Sequence, residues 1–368
     1  MGATKPASAR NTPSVKQEVK RTGKVPVAVV GATGYAGVEI VRLLSAHTGV
    51  ELTLLTSEQY QGRPLADVYP FLRGSVSHTL ERLEPAVVAR QAATVFTALP
   101  HGESAAVVAD LLTRGCRVID LGADFRLRDQ TVYRRWYGNH PAPALMGEAV
   151  YGLAEIYRNE IRAARLVANP GCYPTGMLLG TLPLVRRGCV RAGGTIIVDA
   201  KSGATGAGRS ARTELLFCEV AESIRPYDIG IHRHTPEMEQ ELGRSGAEGL
   251  AVIFAPHLLP ARRGILTTVY VPLNDCRLSS CEEAFREMYA GEPFVHLLGQ
   301  GSYPALRDVQ GTNRCAIGWW FDDARRLAVV VTAIDNLGKG AAGQAIQCLN
   351  LQLGCPETTA LDHPALVP

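Results

Sequence analysis

The chain has 368 residues, of which 46% are hydrophobic and 20% charged, and its formal net charge at pH 7 is +3. This length allows two domains with a sizeable core, and so small a charge does not indicate nucleic acid or a membrane surface as a partner. No apolar run is long enough to predict a membrane span. The nine cysteines form no CxxC pair and follow no secretory signal, so we expect reduced thiols and a cytoplasmic location.

The first 24 residues are polar and basic, with little periodicity. This composition predicts a disordered tail over residues 1–24. An organelle transit peptide is the alternative, because acidic residues are nearly absent there.

A glycine-rich turn follows the first predicted strand, residues 25–30, and leads into a helix with an apolar stripe. This arrangement is typical of a dinucleotide-binding βαβ unit. Gly31 and Gly34 would let the backbone approach a pyrophosphate, and Gly37 would permit close packing of the helix on the strand. A plain tight turn is the alternative.

The second predicted strand, residues 51–56, ends where such a unit reads the adenosine ribose. An acidic residue there favours the free 2′-hydroxyl of NAD, and a hydroxyl or a base favours the 2′-phosphate of NADP. Ser57 indicates NADP, Glu58 indicates NAD, and Arg63 lies a few residues further on. These residues leave the choice between the two cofactors open.

Two further strands, residues 94–99 and 116–121, end in polar loops that carry His101 and Arg126. Ligands bind at the carboxyl ends of parallel strands in doubly wound sheets. Arg126 suits a carboxylate or a phosphate because its guanidinium is planar and always charged. A surface salt bridge for Arg126 and a solvated loop position for His101 are the alternatives.

Cys172 follows a sharp turn made by Pro170 and Gly171, and Pro174 suits the first turn of a helix. The free N–H groups and the dipole at a helix N-terminus favour a thiolate, which is the nucleophilic form of cysteine. The sequence therefore predicts Cys172 as a nucleophile; a small buried core residue is the alternative.

The predicted strand at residues 195–200 leads into a loop of small residues framed by Lys201 and Arg209, which predicts a phosphate or carboxylate nest. His232 and His234 lie just before a helix and are candidates for the acid–base partner of Cys172. Such a pair can bind metal, but further ligands are not evident nearby, so no metal is expected.

Strands at residues 251–255, 265–273 and 327–334, with few helices between them, predict a mixed sheet in the second half. Residues 335–345 are rich in small side chains and lead into a helix that ends near residue 351. A loose C-terminal tail is expected over residues 354–368.

Over about residues 25 to 350 the chain resembles the N-acetyl-gamma-glutamyl-phosphate reductase family of arginine biosynthesis. The matching strings, in order, are residues 31–37, 99–102, 120–126, 169–175, 201–203 and 232–237. The Cys172 and His232 strings are the most specific of these.

The resemblance implies an α/β fold made of a Rossmann-type, doubly wound dinucleotide-binding domain (residues 25–170 and 335–353) and an inserted α/β domain with a mixed sheet. The inserted domain (residues 171–334) would hold the catalytic, substrate and oligomerisation surfaces. The family also implies a homodimer or a homotetramer.

The implied reaction is NADPH-dependent reductive dephosphorylation of N-acetyl-L-glutamyl 5-phosphate, an acyl phosphate, to the 5-semialdehyde through a thioester on Cys172. The resemblance assigns the acid–base role to His232, although the residues alone do not rank it above His234. Implied substrate contacts are His234, Arg126, Lys201, Ser202, Arg209 and Arg263, and implied cofactor contacts are Gly31, Thr33, Gly34, Tyr35, Ala36, Gly37, Ser57, Pro100, His101, Gly203 and Asn336.

Three other functions share some of these features. The first is a related reductase that acts on a carrier-linked aminoadipyl phosphate in lysine biosynthesis. The second is aspartate semialdehyde dehydrogenase, against which the string at residues 170–175 argues. The third is a non-catalytic dinucleotide-sensing regulator, which would need neither Cys172 nor the histidine pair.

Overall fold

A computed structural model describes residues 23–247 and 249–366. Most of the predicted N-terminal tail, residues 1–22, lies outside this part of the chain. Within it, none of the helices combines the length and the apolarity that crossing a membrane requires.

The first half of the chain builds a parallel sheet of seven strands in the order β3-β2-β1-β4-β5-β7-β6. Its β-branched strand residues are buried on both faces, as expected for a parallel sheet between helices. The strands are β1 (Val25–Val30), β2 (Val50–Thr56), β3 (Leu80–Glu81), β4 (Thr94–Thr97), β5 (Arg117–Asp120), β6 (Val150–Tyr151) and β7 (Leu166–Ala168).

The second half builds a mixed sheet of seven strands in the order β12-β13-β14-β11-β8-β10-β9. Its central pairs β8–β11, β11–β14 and β14–β13 are antiparallel, and β8–β10 is parallel. The strands are β8 (Thr195–Gly203), β9 (Arg225–Pro226), β10 (Ala251–Leu259), β11 (Ile265–Pro272), β12 (Val295–Gln300), β13 (Cys315–Asp322) and β14 (Leu327–Ile334).

Eleven α-helices accompany the described strands. They are α1 (Tyr35–Leu44), α2 (Leu65–Val68), α3 (Pro85–Gln91), α4 (Ser104–Thr113), α5 (Gln130–Tyr137), α6 (Ala154–Ala163), α7 (Cys172–Arg186), α8 (Phe217–Val220), α9 (Thr235–Arg244), α10 (Leu278–Met288) and α11 (Gly343–Leu353). Helix α7 packs on β11 and β14, and α11 returns to pack on α6 and α1 beside the first sheet. The predicted fold class, a doubly wound sheet plus an α/β unit with a mixed sheet, is therefore confirmed.

The expected loose C-terminal tail is not what the structure shows for residues 354–366. Leu361 is buried, and Glu357 pairs with Arg158 at 2.8 Å. The backbone N–H of Leu366 donates to the carbonyl of Gln310. This segment packs against the fold because it carries its own apolar and charged anchors, which are too sparse to form a periodic pattern.

Candidate active site

The glycine turn between β1 and α1 has the backbone geometry that the sequence predicts. Gly31 has a φ of +79°, and a Cβ added there would lie 2.5 Å from the carbonyl oxygen of Ala98. A Cβ on Gly37 would lie 2.2 Å from the oxygen of Gly31, whereas Gly34 has only ordinary contacts around it. The turn therefore leaves room for an added atom at Gly34, beside the free N–H groups at the start of α1, and N–H groups at a helix start are the donors that a pyrophosphate needs.

The ribose-reading end of β2 is occupied by hydroxyl groups. The Thr33 and Ser57 hydroxyl oxygens lie 2.8 Å apart. Glu58 points elsewhere, because its carboxylate accepts a hydrogen bond from the backbone N–H of Leu83. Arg209 reaches this end instead of the Cys172 site, and its guanidinium donates to the carbonyl of Thr33 at 3.0 Å and lies over the Tyr60 ring.

Cys172 is the first residue of α7, at the turn that the sequence predicts. The backbone N–H of Gly171 donates to Glu237 on α9 at 2.8 Å, which fixes the turn from the other side. A Cβ on Gly340 would lie 2.8 Å from the Cβ of Cys172, so a glycine is required at this close approach.

The protonation state of Cys172 differs from the sequence prediction, which was a thiolate favoured by the helix N-terminus. Burial raises the pKa of the Cys172 thiol to about 11, although the Arg126 guanidinium and the backbone N–H of Tyr173 act in the opposite direction. The helix N-terminus lowers the pKa, as expected, but desolvation has the larger effect in the free protein. The thiol is therefore protonated near neutral pH.

Both histidines of the predicted pair are uncharged near neutral pH. Burial lowers the pKa of His232 to about 4, and burial together with the neighbouring His232 and Arg126 lowers the pKa of His234 well below its usual value. The backbone N–H of His234 donates to Nδ1 of His232 at 3.1 Å, which places the proton of the neutral His232 ring on Nε2. The Nε2 edge of His234 faces the turn, since a Cβ on Gly171 would lie 2.5 Å from it.

A cavity of about 660 Å³ joins these groups. Its walls include Cys172, His232, His234, Ser202, Gly203 and His101. The structure thus gathers the predicted nucleophile, both predicted imidazoles and three further predicted site residues around one space. Such a cavity has the size of a small-molecule site.

Arg126 does not line this cavity. Its guanidinium donates to the carbonyls of Asn169 and Leu121 at 2.9 and 2.8 Å and lies 3.5 Å from the Glu237 carboxylate. The side chain is only 10% exposed. Arg126 therefore contacts the Cys172 turn and His234 on the side away from the cavity. The structure does not place it where the sequence analysis predicted, in contact with a substrate carboxylate.

Lys201 and Arg263 also lie away from the cavity. Strand β8 continues to Gly203, so Lys201 points to the opposite face from Ser202 and pairs with Asp199. Arg263 forms ion pairs with Glu39 on α1 and with Asp335 after β14, each at 2.9 Å. Both residues form ion pairs within the protein and do not line the cavity, so the structure does not support the substrate contacts predicted for them.

Asn336 lies beside the cavity and hydrogen-bonds to two of the chain segments next to it. Its side-chain oxygen accepts from the N–H of Gly264, and its amide donates to the Thr205 hydroxyl at 2.9 Å. His101 follows the exposed Pro100 and contacts the Arg233 guanidinium. Both ends of the predicted cofactor path, Asn336 and His101, therefore lie next to the Cys172 cavity.

Three functionally placed residues were not predicted from the sequence. Arg212 and Arg225 line the cavity, and neither forms an ion pair with a described residue. Glu237 is buried and accepts from Gly171 and from the Tyr151 hydroxyl at 2.7 Å, and burial raises the pKa of its carboxyl. Glu237 could have been predicted, because it is the last residue of the matching segment 232–237. Arg212 and Arg225 belong to no sequence motif.

Two family models match the chain. The model described as "Semialdehyde dehydrogenase, NAD binding domain" matches residues 26–164, and the one described as "Semialdehyde dehydrogenase, dimerisation domain" matches residues 172–336. The boundary between them falls just before Cys172.

Curated relatives match nearly the whole chain. The N-acetyl-gamma-glutamyl-phosphate reductase of Moorella thermoacetica is 50% identical over 351 residues, which is 94% of this chain and 100% of that one. The enzyme of the same name from Geobacter sulfurreducens is 48% identical over 347 residues, covering 93% and 99%.

Solved structures share the fold at low sequence identity. Aspartate semialdehyde dehydrogenase II of Vibrio cholerae superimposes with a TM-score of 0.69 at 19% identity, over 90% of this chain and 99% of that one. Aspartate semialdehyde dehydrogenase with NADP from Candida albicans gives a TM-score of 0.66 at 15% identity, over 89% and 98%.

Proposed function

Because this chain belongs to the N-acetyl-gamma-glutamyl-phosphate reductase family, we propose that it reduces N-acetyl-L-glutamyl 5-phosphate to the 5-semialdehyde in arginine biosynthesis. The observation that carries this proposal is the common cavity of Cys172, His232 and His234. A nucleophile and two uncharged imidazoles in one enclosed space suit acyl transfer from phosphate to sulfur.

The first step forms a thioester. The Cys172 sulfur attacks the carbonyl carbon of the acyl phosphate, a C–S bond forms, and the bond to the phosphate oxygen breaks. The thiol proton passes to Nε2 of His234, which faces the turn and gives up the hydrogen bond that it accepts from the Arg126 guanidinium to take this proton, and from there to the departing phosphate. The acid–base role that the resemblance implies for His232 is thus assigned to His234, because Nδ1 of His232 accepts from the His234 N–H. The dianionic phosphate of the substrate assists, because a nearby negative charge raises the pKa of an imidazole.

The second step reduces the thioester. The glycine turn after β1 and the Ser57 end of β2 would hold a nicotinamide cofactor, which would supply the hydride for this step. The Nε2–H of His232 donates a hydrogen bond to the oxygen that becomes negative in this step. When the resulting thiohemiacetal collapses to the aldehyde, Cys172 leaves as the thiolate and recovers a proton from solvent through the cavity.

We assign recognition of the substrate's negative groups to Arg212 and Arg225. Both line the cavity and form no ion pair with a described residue, and Arg225 has one long hydrogen bond of 3.5 Å to the carbonyl of Glu214. Arg126, Lys201 and Arg263 each lie against a carboxylate instead. The Ser202 hydroxyl, buried at the end of β8, is a further contact for the phosphate. A guanidinium without an ionic partner gains more from a bound anion than one already paired.

We propose NADP as the physiological cofactor. The hydroxyls of Ser57 and Thr33 and the guanidinium of Arg209 meet at the ribose-reading end of β2, and Glu58 is turned toward Leu83. A positive group and hydroxyls favour a 2′-phosphate, whereas a carboxylate at this position would repel it.

The domain that matches residues 172–336 is a dimerisation domain, and we propose a homodimer or a homotetramer. The described part of the second sheet has one face with exposed apolar side chains, Ile197, Ile253 and Trp320, which suits a contact between copies. We also propose a reducing cytoplasm as the location, consistent with the nine unpaired cysteines.

The reaction is tested in reverse, as phosphate-dependent reduction of NADP⁺ with N-acetylglutamate semialdehyde. The parent should turn over, and Cys172→Ser should lose all phosphate-dependent activity while still binding the cofactor. The exposed Cys218 offers a matched control, since Cys218→Ser should keep full activity. Full activity of Cys172→Ser would contradict the proposal, as would a parent that prefers the aminoadipyl phosphate of the related pathway.

Cofactor preference is tested separately. Arg209→Ala should lower kcat/KM for NADPH by about 10-fold or more, consistent with the loss of one charged hydrogen-bond partner, and should leave kcat/KM for NADH nearly unchanged. Equal losses with both cofactors would show that Arg209 does not read the 2′-phosphate.

A further inference from the structure

Three cysteine side chains meet beyond the far end of α7, away from the active-site cavity. The sulfur atoms of Cys189, Cys276 and Cys281 all lie within 4.8 Å of one another. The sulfurs of Cys276 and Cys281 are 3.4 Å apart. Helix α7 has 15 residues and is therefore about 22 Å long, so the cluster is far from Cys172 at the start of the same helix.

Each of the three thiols comes from a separately anchored backbone segment. Cys189 follows α7, and its N–H donates to the carbonyl of Leu184 at 2.9 Å. Cys281 lies in the first half of α10. The third segment is fixed at Cys276, whose N–H donates to the side chain of Asn274 at 2.9 Å and whose carbonyl accepts from Arg326 at 2.7 Å. The triangle of sulfurs is therefore built before any ligand arrives.

The spacing of the sulfurs suits a thiophilic cation. With metal–sulfur bonds of about 2.3 Å in a tetrahedral zinc site, neighbouring sulfurs lie about 3.8 Å apart, and the observed range of separations includes this value. Cys189 and Cys281 are buried, whereas Cys276 is half-buried and provides access from solvent. The fourth position would be left to a water molecule on that side.

The surroundings can offset the charge of a metal–thiolate group. Arg326 donates from its guanidinium to the carbonyls of Asn274 and Cys276 and also pairs with Asp323. Arg187, two residues before Cys189, pairs with Glu283 and Glu287 on α10. A zinc ion with three thiolates has a net charge of minus one, and the Arg326 guanidinium, which is hydrogen-bonded to the Cys276 carbonyl, is the positive group nearest to it along the backbone.

We propose that Cys189, Cys276 and Cys281 form a binding site for a thiophilic d¹⁰ cation, with Zn²⁺ as the representative ion. Binding forms three metal–sulfur bonds and releases three thiol protons to solvent, with no change of oxidation state. The site joins the end of α7 to α10 and to the loop after β11, so its role is to stabilise the second half of the chain and not to take part in the reaction.

The test uses the full chain in a Cys172→Ser background, which removes the active-site thiol as a competing ligand. The protein is reduced, stripped with a chelator, and titrated with Zn²⁺ and, in parallel, with Cd²⁺. We expect one tightly held metal per chain by elemental analysis after desalting, a sulfur-to-cadmium charge-transfer band, and a raised Tm with metal. Cys276→Ser should weaken binding by more than about 100-fold, because even changes outside the ligand set cost about 10- to 100-fold.

Cys218→Ser, a change at an exposed cysteine elsewhere, is the matched control and should leave metal binding unchanged. The half-buried position of Cys276 makes the serine variant compatible with folding, which its metal-free Tm checks. Three results would overturn the proposal: no retained metal, equal uptake by Cys276→Ser, or a Cys276–Cys281 disulfide in the purified protein with no metal uptake after reduction.

Discussion

At the scale of single residues, the nucleophile and the two imidazoles of the active site are uncharged in the free protein near neutral pH. Desolvation raises the pKa of Cys172 and lowers the pKa values of His232 and His234. Transfer of the thiol proton to an imidazole is therefore unfavourable until a substrate with a dianionic phosphate enters and stabilises the imidazolium. This arrangement protects the thiol when no substrate is present.

Alkylation of Cys172 should reveal this protonated thiol. Because its pKa is about 11, the thiolate fraction should rise about tenfold for each pH unit between pH 7 and pH 10, and the rate of inactivation by iodoacetamide should rise with it. The measurement is the inactivation rate of the free enzyme against pH. A plateau below pH 8 would show that the helix N-terminus outweighs burial.

His232→Asn should lower kcat by about 10²- to 10⁴-fold, the usual contribution of a positioned donor or acid–base group, with little change in KM. His296→Asn, an exposed histidine on β12, is the control. Because the pKa of His232 is about 4, the neutral ring persists as pH falls and is lost only as pH approaches that value. Protonation at Nδ1 then breaks the hydrogen bond from the His234 N–H that orients the ring. The acid limb of kcat/KM should therefore lie below pH 5, and a limb between pH 6 and pH 7 assigned to His232 would contradict its role.

At the scale of elements, two glycines of the turn after β1 have different roles: Gly37 serves packing, and we propose that Gly34 serves cofactor binding. A methyl group at Gly37 would meet the backbone of Gly31 and Ala32 at 2.2 and 3.0 Å, whereas at Gly34 it would meet only ordinary contact at 3.6 Å. The first position is closed by the protein itself, and the second is open for a ligand.

Gly37→Ala should therefore destabilise the protein by about 1 to 3 kcal/mol through overpacking. Gly34→Ala should leave Tm nearly unchanged and weaken NADPH binding by at least tenfold, because the methyl group would occupy the space left for the pyrophosphate. Thermal unfolding and cofactor titration of the two variants measure this. Unchanged NADPH affinity in Gly34→Ala would place the pyrophosphate elsewhere.

Local sequence patterns predicted many of the secondary-structure elements that position the active site. β1, the turn after it and the placement of Cys172 at the start of α7 follow from short-range rules of periodicity and capping, which these segments obey. The predicted position of Lys201 was wrong because β8 extends to Gly203, three residues beyond the predicted strand end. Side chains alternate between the two faces of a strand, so Lys201 points to the face opposite Ser202.

The cationic side chains show a different limit of sequence reasoning. The ionic partners of Arg126 and Arg263 lie far along the chain. Arg126 pairs with Glu237, and Arg263 pairs with Glu39 and Asp335, which are 224 and 72 residues away. A local pattern identifies a guanidinium but not the carboxylate that the tertiary fold brings to it. For the same reason the sequence did not indicate Arg212 and Arg225, whose proximity to Cys172 exists only in the fold.

At the scale of the whole molecule, the second sheet has packed helices on one face and exposed apolar side chains on the other. Ile197 and Ile253 are paired across β8 and β10 and are 43% and 50% exposed. Exposed apolar groups in register on a sheet mark a contact surface, in agreement with the dimerisation domain that covers these strands.

Ile253→Glu should therefore shift the assembly toward monomers, because a carboxylate buried at the contact lacks a partner and the apolar gain of about 1.5 to 3 kcal/mol for each isoleucine is lost. Light scattering after size exclusion measures the change. Phe71→Glu, a change at an exposed apolar residue of the first half, should leave the assembly intact. An unchanged mass for Ile253→Glu would exclude this face as the contact.

Mass spectrometry of the acylated protein shows whether the acyl group is carried on the sulfur of Cys172, on which the proposed mechanism depends. The protein is mixed with N-acetyl-L-glutamyl 5-phosphate without cofactor, quenched in acid, and measured intact and after digestion. We expect a single added acyl group on the peptide that contains Cys172, its loss on adding NADPH, and no adduct in Cys172→Ala. An acyl group on another residue, or turnover by Cys172→Ala at the parent's rate, would contradict that mechanism.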